Sequence, residues 1–386
     1  MFDCRSRVGY VFVVDLRKKF EDPELAATLR LSLSSGIGPI RVRQLRNHFG
    51  GLAATLAAPL SQLRQVQGIG NKLALLVQSA GQIEIERELD HCLENQIDIL
   101  TPQCETFPPL LSQIPDPPTM LFVRGGILPR DELSVAVVGT RRPTRYGLKQ
   151  AERFGYELAK AGFTVVSGLA RGVDAAAHKG AIRAGGRTIA FLGGGVSNIY
   201  PPEHVQLAED VTAQGALISE SAPLTSPLAG AFPQRNRLIT GMSLGVIIIE
   251  AAIRSGALIS ARMAMEQNRE VFALPGQIDN PVALGCLRLI GDGATMVTSV
   301  DDVIEQIGPL HRPAEVGPGE TVRNGAELQL NDRERTVLQA IETAPTMIDQ
   351  IVAESGIPVH QVLSTVSVLE IKRLVQRING HTVQRM

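Results

Sequence analysis

Between Val135 and Leu274 the chain switches repeatedly from a short run of β-branched and apolar residues to a longer helical stretch. The runs are Val135–Val138, Thr164–Val166, Thr188–Phe191, Ala216–Ile218, Val246–Ile249 and Val271–Leu274. Runs this short and this uniformly apolar suit strands buried on both faces, and the helical stretches between them suit parallel crossovers. The alternation predicts an α/β fold, an extended Rossmann-like parallel sheet. In such a sheet the loops at the carboxyl ends of the strands gather along one edge, where ligands bind.

Those loops are rich in glycine and arginine. They read Gly139-Thr140-Arg141-Arg142, Ser167-Gly168-Leu169-Ala170-Arg171-Gly172 and Gly193-Gly194-Gly195, and Phe232-Pro233-Gln234-Arg235-Asn236-Arg237 reads as a further loop. Glycine lets backbone N–H groups approach an anion, and arginine adds fixed charge on a planar donor fork. The edge is built for phosphate. Yet no G-x-G-x-x-G follows the first strand and no G-x-x-x-x-G-K-[ST] occurs, so both usual nucleotide fingerprints are missing.

Arg141, Arg142, Arg145, Arg171, Lys179, Arg235 and Arg237 arrive from separate segments, with Tyr146, Tyr200 and Phe232 in or beside them. Positive charge that tracks a backbone, with aromatic faces for stacking, is the pattern of sequence-tolerant single-strand binding. The candidate contact residues are Gly139, Thr140, Arg141, Arg142, Arg145, Ser167, Gly168, Arg171, Gly172, Lys179, Phe232, Arg235, Asn236 and Arg237. The competing reading is that one or two of these arginines pair with carboxylates at the sheet edge.

Signals for catalysis are thin. Asp174 and His178 stand four apart at a helix start, which suits an acid/base pair or half a metal site. The plainer reading is a helix-terminal carboxylate with a histidine packed behind it. Glu250 ends an apolar strand at the ligand edge, as a base or as a partner for an arginine. Ser255 opens a helix, where a hydroxyl is a cap more often than a nucleophile. The sequence reads as a non-enzyme.

The chain has 386 residues, more than one domain's usual length, with a formal net charge of -1 that leaves any anion binding local. Cys4, Cys92, Cys104 and Cys286 form no CxxC pair, so reduced thiols in the cytoplasm are expected, with no metal site. The apolar run Val8–Val14 is too short to span a membrane.

Residues 1–100 read as an all-α, helix-hairpin-helix (SAM-like) domain, with Gly36-Ile37-Gly38 and Gly68-Ile69-Gly70 as paired turns. Such turns either offer backbone N–H groups to phosphates or simply end one helix and start the next. Both readings stand. Residues 101–308 read as the Rossmann-like domain, entered through an extended proline-rich connector from Pro102 to Pro129. A Pro/Gly-rich linker is expected at 309–328, and helical patterns followed by Asn379-Gly380 between strand-like runs predict a winged helix at 329–386. Acidic and basic residues balance in that module, which favours a protein-contact or regulatory role over a DNA-reading one.

The central segment resembles the DNA-processing protein A (DprA/Smf) family. The resemblance runs through Gly139-Thr140-Arg141, Ser167-Gly168, Gly172-Val173-Asp174, His178, Tyr200-Pro201-Pro202, Ser219-Glu220, Phe232-Pro233-Gln234-Arg235-Asn236-Arg237, Glu250, Ser255-Gly256 and Leu274-Pro275-Gly276. It implies a protein that binds and protects incoming single-stranded DNA and loads the RecA recombinase during natural transformation. It also implies a homodimer formed through the Rossmann domain, with no cofactor. By position, Arg141, Lys179, Arg235 and Arg237 carry over as DNA contacts. One departure stands in Gly285-Cys286-Leu287-Arg288-Leu289-Ile290, where the family usually has an asparagine before Leu-Ile. The alternative is a nucleotide-cleaving phosphoribohydrolase, but Pro275-Gly276 continues as Gln277-Ile278 rather than the Gly-x-Gly-Thr of that class.

Overall fold

The computed structural model describes residues 16–34, 36–227, 230–307, 309–317 and 320–386. Cys4 and the Val8–Val14 run lie outside the described residues. A nine-stranded sheet forms the centre, in the order β1-β2-β6-β5-β4-β3-β7-β8-β9. The strands are β1 (Ile97–Leu100), β2 (Leu121–Gly125), β3 (Ser134–Val138), β4 (Thr164–Ser167), β5 (Thr188–Phe191), β6 (Gly215–Ser219), β7 (Gly245–Ile248), β8 (Glu270–Ala273) and β9 (Thr295–Met296). From β6 to β9 every pair is parallel, while β2 and β1 add antiparallel strands at one edge. The order reverses at β3, which has β4 on one side and β7 on the other. That reversal opens a crevice at the carboxyl ends of β3 and β7.

Alternate residues of each strand feed two different cores. Ala136 and Val138 face the helices Ala231–Met242 and Gly256–Glu266, while Val135 and Val137 face Arg145–Lys160 and Val173–Arg183. The latter two helices cross at glycine contacts. A Cβ on Gly180 would lie 2.1 Å from the Glu152 carbonyl oxygen, so the backbones meet with nothing between them.

Two expectations are corrected here. The proline-rich connector is not simply extended: it carries a helical turn at Pro109–Ser112, all of β2 and a 3-10 turn at Pro129–Glu132. Pro109 and Pro129 occupy first helical positions, where the missing N–H removes no hydrogen bond. The 309–328 stretch, read as a linker, contains an antiparallel hairpin of Pro309–Gly317 with Glu320–Asn324 and a 3-10 turn at Gly325–Gln329. Thr321-Val322-Arg323 alternates exposed, buried, exposed, and Val322 enters the core beneath β3 and β4.

The terminal modules pack onto this body. Leu16, Leu29 and Leu89 share a core with Ala190 and Leu217 of the sheet. In the N-terminal helices Gly36 and Gly68 adopt φ of 99° and 78°, which glycine tolerates, and Gly38 and Gly70 begin the helices Pro39–Phe49 and Asn71–Ala80. At the other end, helices Asp332–Gln339, Ile348–Ser355 and Val359–Ile371 precede the hairpin Val375–Asn379/Thr382–Arg385, which is the winged-helix arrangement. Arg385 donates to Glu327 and Gln329 to Asp301, fastening this module to the body.

Candidate nucleic-acid interface

The crevice is framed by bonds that cross the switch point. Thr140 N donates to the Glu250 carbonyl at 2.8 Å, joining the loop after β3 to the end of β7. The Glu250 carboxylate accepts from Thr144 N at 2.8 Å and Thr144 Oγ1 at 2.5 Å, at the start of helix Arg145–Lys160. Glu250 therefore supports a helix N-terminus. Among the described residues it pairs with none of the arginines, and its carboxylate accepts twice from Thr144.

Glycines let the loops close on one another. A Cβ on Gly139 would meet Val173 Cγ2 at 2.6 Å. Gly172 has φ of 83°, and its Cβ would sit 2.5 Å from the Thr140 carbonyl oxygen. Ser167, expected among the contacts, is buried in β4 and donates to the Val137 carbonyl at 2.7 Å, so it braces the sheet instead.

Arg235 lies under the crevice, only 5% exposed. Its segment is not a loop but the first turns of helix Ala231–Met242, because Leu238, Ile239 and Met242 are drawn into the core. Its guanidinium donates to the carbonyls of Gly168 (2.7 Å) and Phe191, stitching the ends of β4 and β5 together. A Cβ on Gly168 would collide with Arg235 Nη1 at 2.1 Å. Burial first, and Arg141 second, pull the Arg235 pKa down to about 10, and buried Asp174 opposes them. Burial raises the Asp174 pKa while Arg235 lowers it. The two form a charge-balanced floor.

Arg237 is the clearest correction. Its Nε donates to Asp116 and its Nη2 to Glu220, both at 2.7 Å, beneath a 5% exposed surface. A guanidinium held by two carboxylates and removed from solvent is not offered to phosphate. The partners, Asp116 and Glu220, lie 121 and 17 residues away, in the proline-rich segment and just past β6, so only the fold reveals the pairing.

The rim is different. Arg141 is exposed and its guanidinium carbon stands 4.8 Å from the centre of the Phe232 ring. Tyr200 lies 5.8 Å from Phe232, tilted by 49°, and Arg171 reaches over Tyr200 at 6.0 Å while paired with Glu203. Arg141, Phe232 and Tyr200, together with Asn236 and the Ser255-Gly256 helix start, surround a hollow of about 640 Å³. Ser255 caps its helix by accepting from Ala257 N, as a cap rather than a nucleophile. Sequence reasoning did not include Ser255, Gly256 or Tyr200 among the contacts; the strand-end position of Ser255-Gly256 was the available signal.

The remaining candidates spread outward. Arg142 is exposed on the loop after β3, Arg145 faces a second hollow with Tyr146, and Lys179 is exposed further along helix Val173–Arg183, outside the lining of the crevice. His178 is fully buried with Nδ1 2.7 Å from Thr188 Oγ1, and burial holds its pKa down to about 3. Asp174 and His178 thus face different partners. Among the described residues no group of histidine, cysteine and carboxylate side chains is arranged to hold a metal.

This crevice sits in a segment matched by a family model. The model for DNA recombination-mediator protein A covers residues 98–308, and that for the DprA winged helix domain covers 323–381. The chain belongs to the DNA recombination-mediator protein A family. It is 35% identical over 393 residues to Protein Smf of Synechocystis, spanning 94% of this chain and 99% of that family member. It is 40% identical over 225 residues to the DNA processing protein DprA of Bacillus subtilis, spanning 58% of this chain and 76% of that one. The X-ray structure of DprA from Streptococcus pneumoniae superposes with a TM-score of 0.64 at 31% identity, covering 74% of this chain and 98% of that one. The two family models reach the Rossmann-like core and the winged helix, while the match to Protein Smf extends over nearly the whole chain.

Proposed function

We propose that the crevice binds single-stranded DNA, and that the protein acts as a mediator in DNA processing for transformation and recombination. The observation that carries this reading is the Arg141–Phe232–Tyr200 rim, a cation and two aromatic faces above a glycine-lined hollow. Such a rim stacks bases without selecting them and neutralises phosphate beside them. Family membership supplies the process. The reading assigns the strand contacts to Gly139, Thr140, Arg141, Arg142, Gly168, Arg171, Phe232 and Asn236, with Arg235 as the buried support.

The same reading includes loading of a RecA-type recombinase, a homodimer and a cytoplasmic setting. No helix among the described residues is long and apolar enough to cross a membrane. It is also a non-catalytic reading: Glu250 is engaged by Thr144 and His178 by Thr188, so the candidate acid and base groups already have structural partners. The test is a gel shift with single- and double-stranded DNA, with and without RecA. Binding preferential for single strands, with RecA joining the complex, is expected. Preference for duplex, or release of free base from nucleotides at enzymatic rates, overturns the reading.

A further inference from the structure

On the far side of the loop after β3 lies a second hollow, of about 530 Å³, which shares no lining residue with the crevice. Its walls are mainly apolar, from Ile249, Leu274, Pro275 and Ala283. Tyr146 forms one flat side, its hydroxyl donating to the Pro275 carbonyl at 3.3 Å. Glu250, only 2% exposed, also lines it, beside Arg145, Gln277 and Asn280.

That combination limits what fits. The volume lies in the range of small-ligand sites, and the apolar walls with one aromatic side favour a flat body. A carboxylate accepts at roughly four lone-pair sites, and the two bonds from Thr144 leave some free. Among the described residues no lysine, arginine or histidine forms an ion pair with Glu250. The matching group is a neutral one with adjacent N–H donors. Guanine has that edge, in its ring N–H and exocyclic amine.

We propose that this hollow is a second nucleobase site, selective for guanine, stacked against Tyr146 and hydrogen-bonded to Glu250. The inference rests on the single-strand reading of the crevice. The loop that separates the hollows carries exposed Arg141 and Arg142 and runs into exposed Arg145, a basic ridge that a strand crosses between them.

The test uses the full chain and oligo-dT bearing one fluorescent guanine analogue. Quenching on binding is expected, with affinity about fivefold above plain oligo-dT. Gln277→Trp, at an exposed position on the mouth, fills the hollow, and Tyr146→Ala removes its flat side. Both are expected to abolish the quench and the preference, and Gln277→Trp leaves plain oligo-dT binding at the parental level. Arg141→Ala separates the two readings. If it weakens both oligonucleotides while the two hollow variants keep the guanine preference, the second site is wrong and the crevice stands. If Arg141→Ala changes neither, the crevice reading falls. Addition of guanosine monophosphate distinguishes the source of the base. Loss of the quench with the strand still bound assigns the hollow to free nucleotide and overturns the strand-crossing route; a persistent quench supports delivery by the strand.

Discussion

Arg141 stands over the face of Phe232 at 4.8 Å, so an exposed cation of the crevice rim rests on an aromatic ring. Each side chain orders the other. Phe232→Ala and Arg141→Ala should each weaken oligo-dT binding by about 5- to 100-fold, whatever the base composition. The double variant should lose less than the sum, because the two share one interaction. Arg141→Ala should also lower the log–log salt slope by about one. Fluorescence anisotropy across a salt series measures all three, and parental affinity in both single variants contradicts the rim assignment.

Arg235 belongs to stability first. Arg235→Ala leaves Asp174 buried without its neighbouring charge and two carbonyls without a donor, a loss of about 3–5 kcal/mol. Urea unfolding should show it as a lower midpoint, with Arg141→Ala close to parent. An Arg235→Ala protein as stable as the parent would show that the floor needs no cation.

Acid should destabilise the fold through His178. Its pKa is lowered from 6.5 to about 3, by burial first and then by Arg235 and His204. Between those values the unfolded imidazole takes a proton that the folded one refuses. Its contribution is therefore present above pH 6.5 and is lost as pH falls, at up to about 1.4 kcal/mol per unit. Asp174, with a raised pKa, acts in the opposite sense: its contribution is present in acid and lost as pH rises through the folded value. Urea midpoints of parent and His178→Gln isolate the histidine. The variant's curve should be flatter below pH 6.5, and parallel curves would contradict the buried neutral imidazole.

The winged helix should be dispensable for simple strand binding. Helix Val359–Ile371 contains no lysine or arginine and exposes Val359, Leu363, Val368 and Ile371. Truncation after Leu330 should leave oligo-dT affinity within about twofold. A tenfold loss in the folded truncated protein would place strand contacts on that module.

The sheet was legible because strand residues there are apolar on both faces, so Val135–Val138 and its counterparts need no context to identify. The glycine loops were legible for a related reason: Gly139 and Gly172 stand where any side chain would collide. What composition concealed were pairings between distant segments. Nothing local marks Arg237 as the partner of Asp116 and Glu220, or Arg235 as a buried donor to Gly168, since an arginine looks the same in sequence whether it faces solvent or a carboxylate. Phe232–Arg237 looked like a loop because its polar residues precede the apolar ones that bury the helix. The hairpin at 309–324 was hidden by its prolines and glycines, although Val322 points inward.

That hairpin places the root of the winged helix at a particular pole. Gly325 packs on Phe163 and Leu328 on Gly162, just ahead of β4, at the amino edge of the sheet. The crevice opens at the carboxyl edge. The root of the winged helix and a strand bound in the proposed crevice would therefore lie on opposite margins of the same sheet.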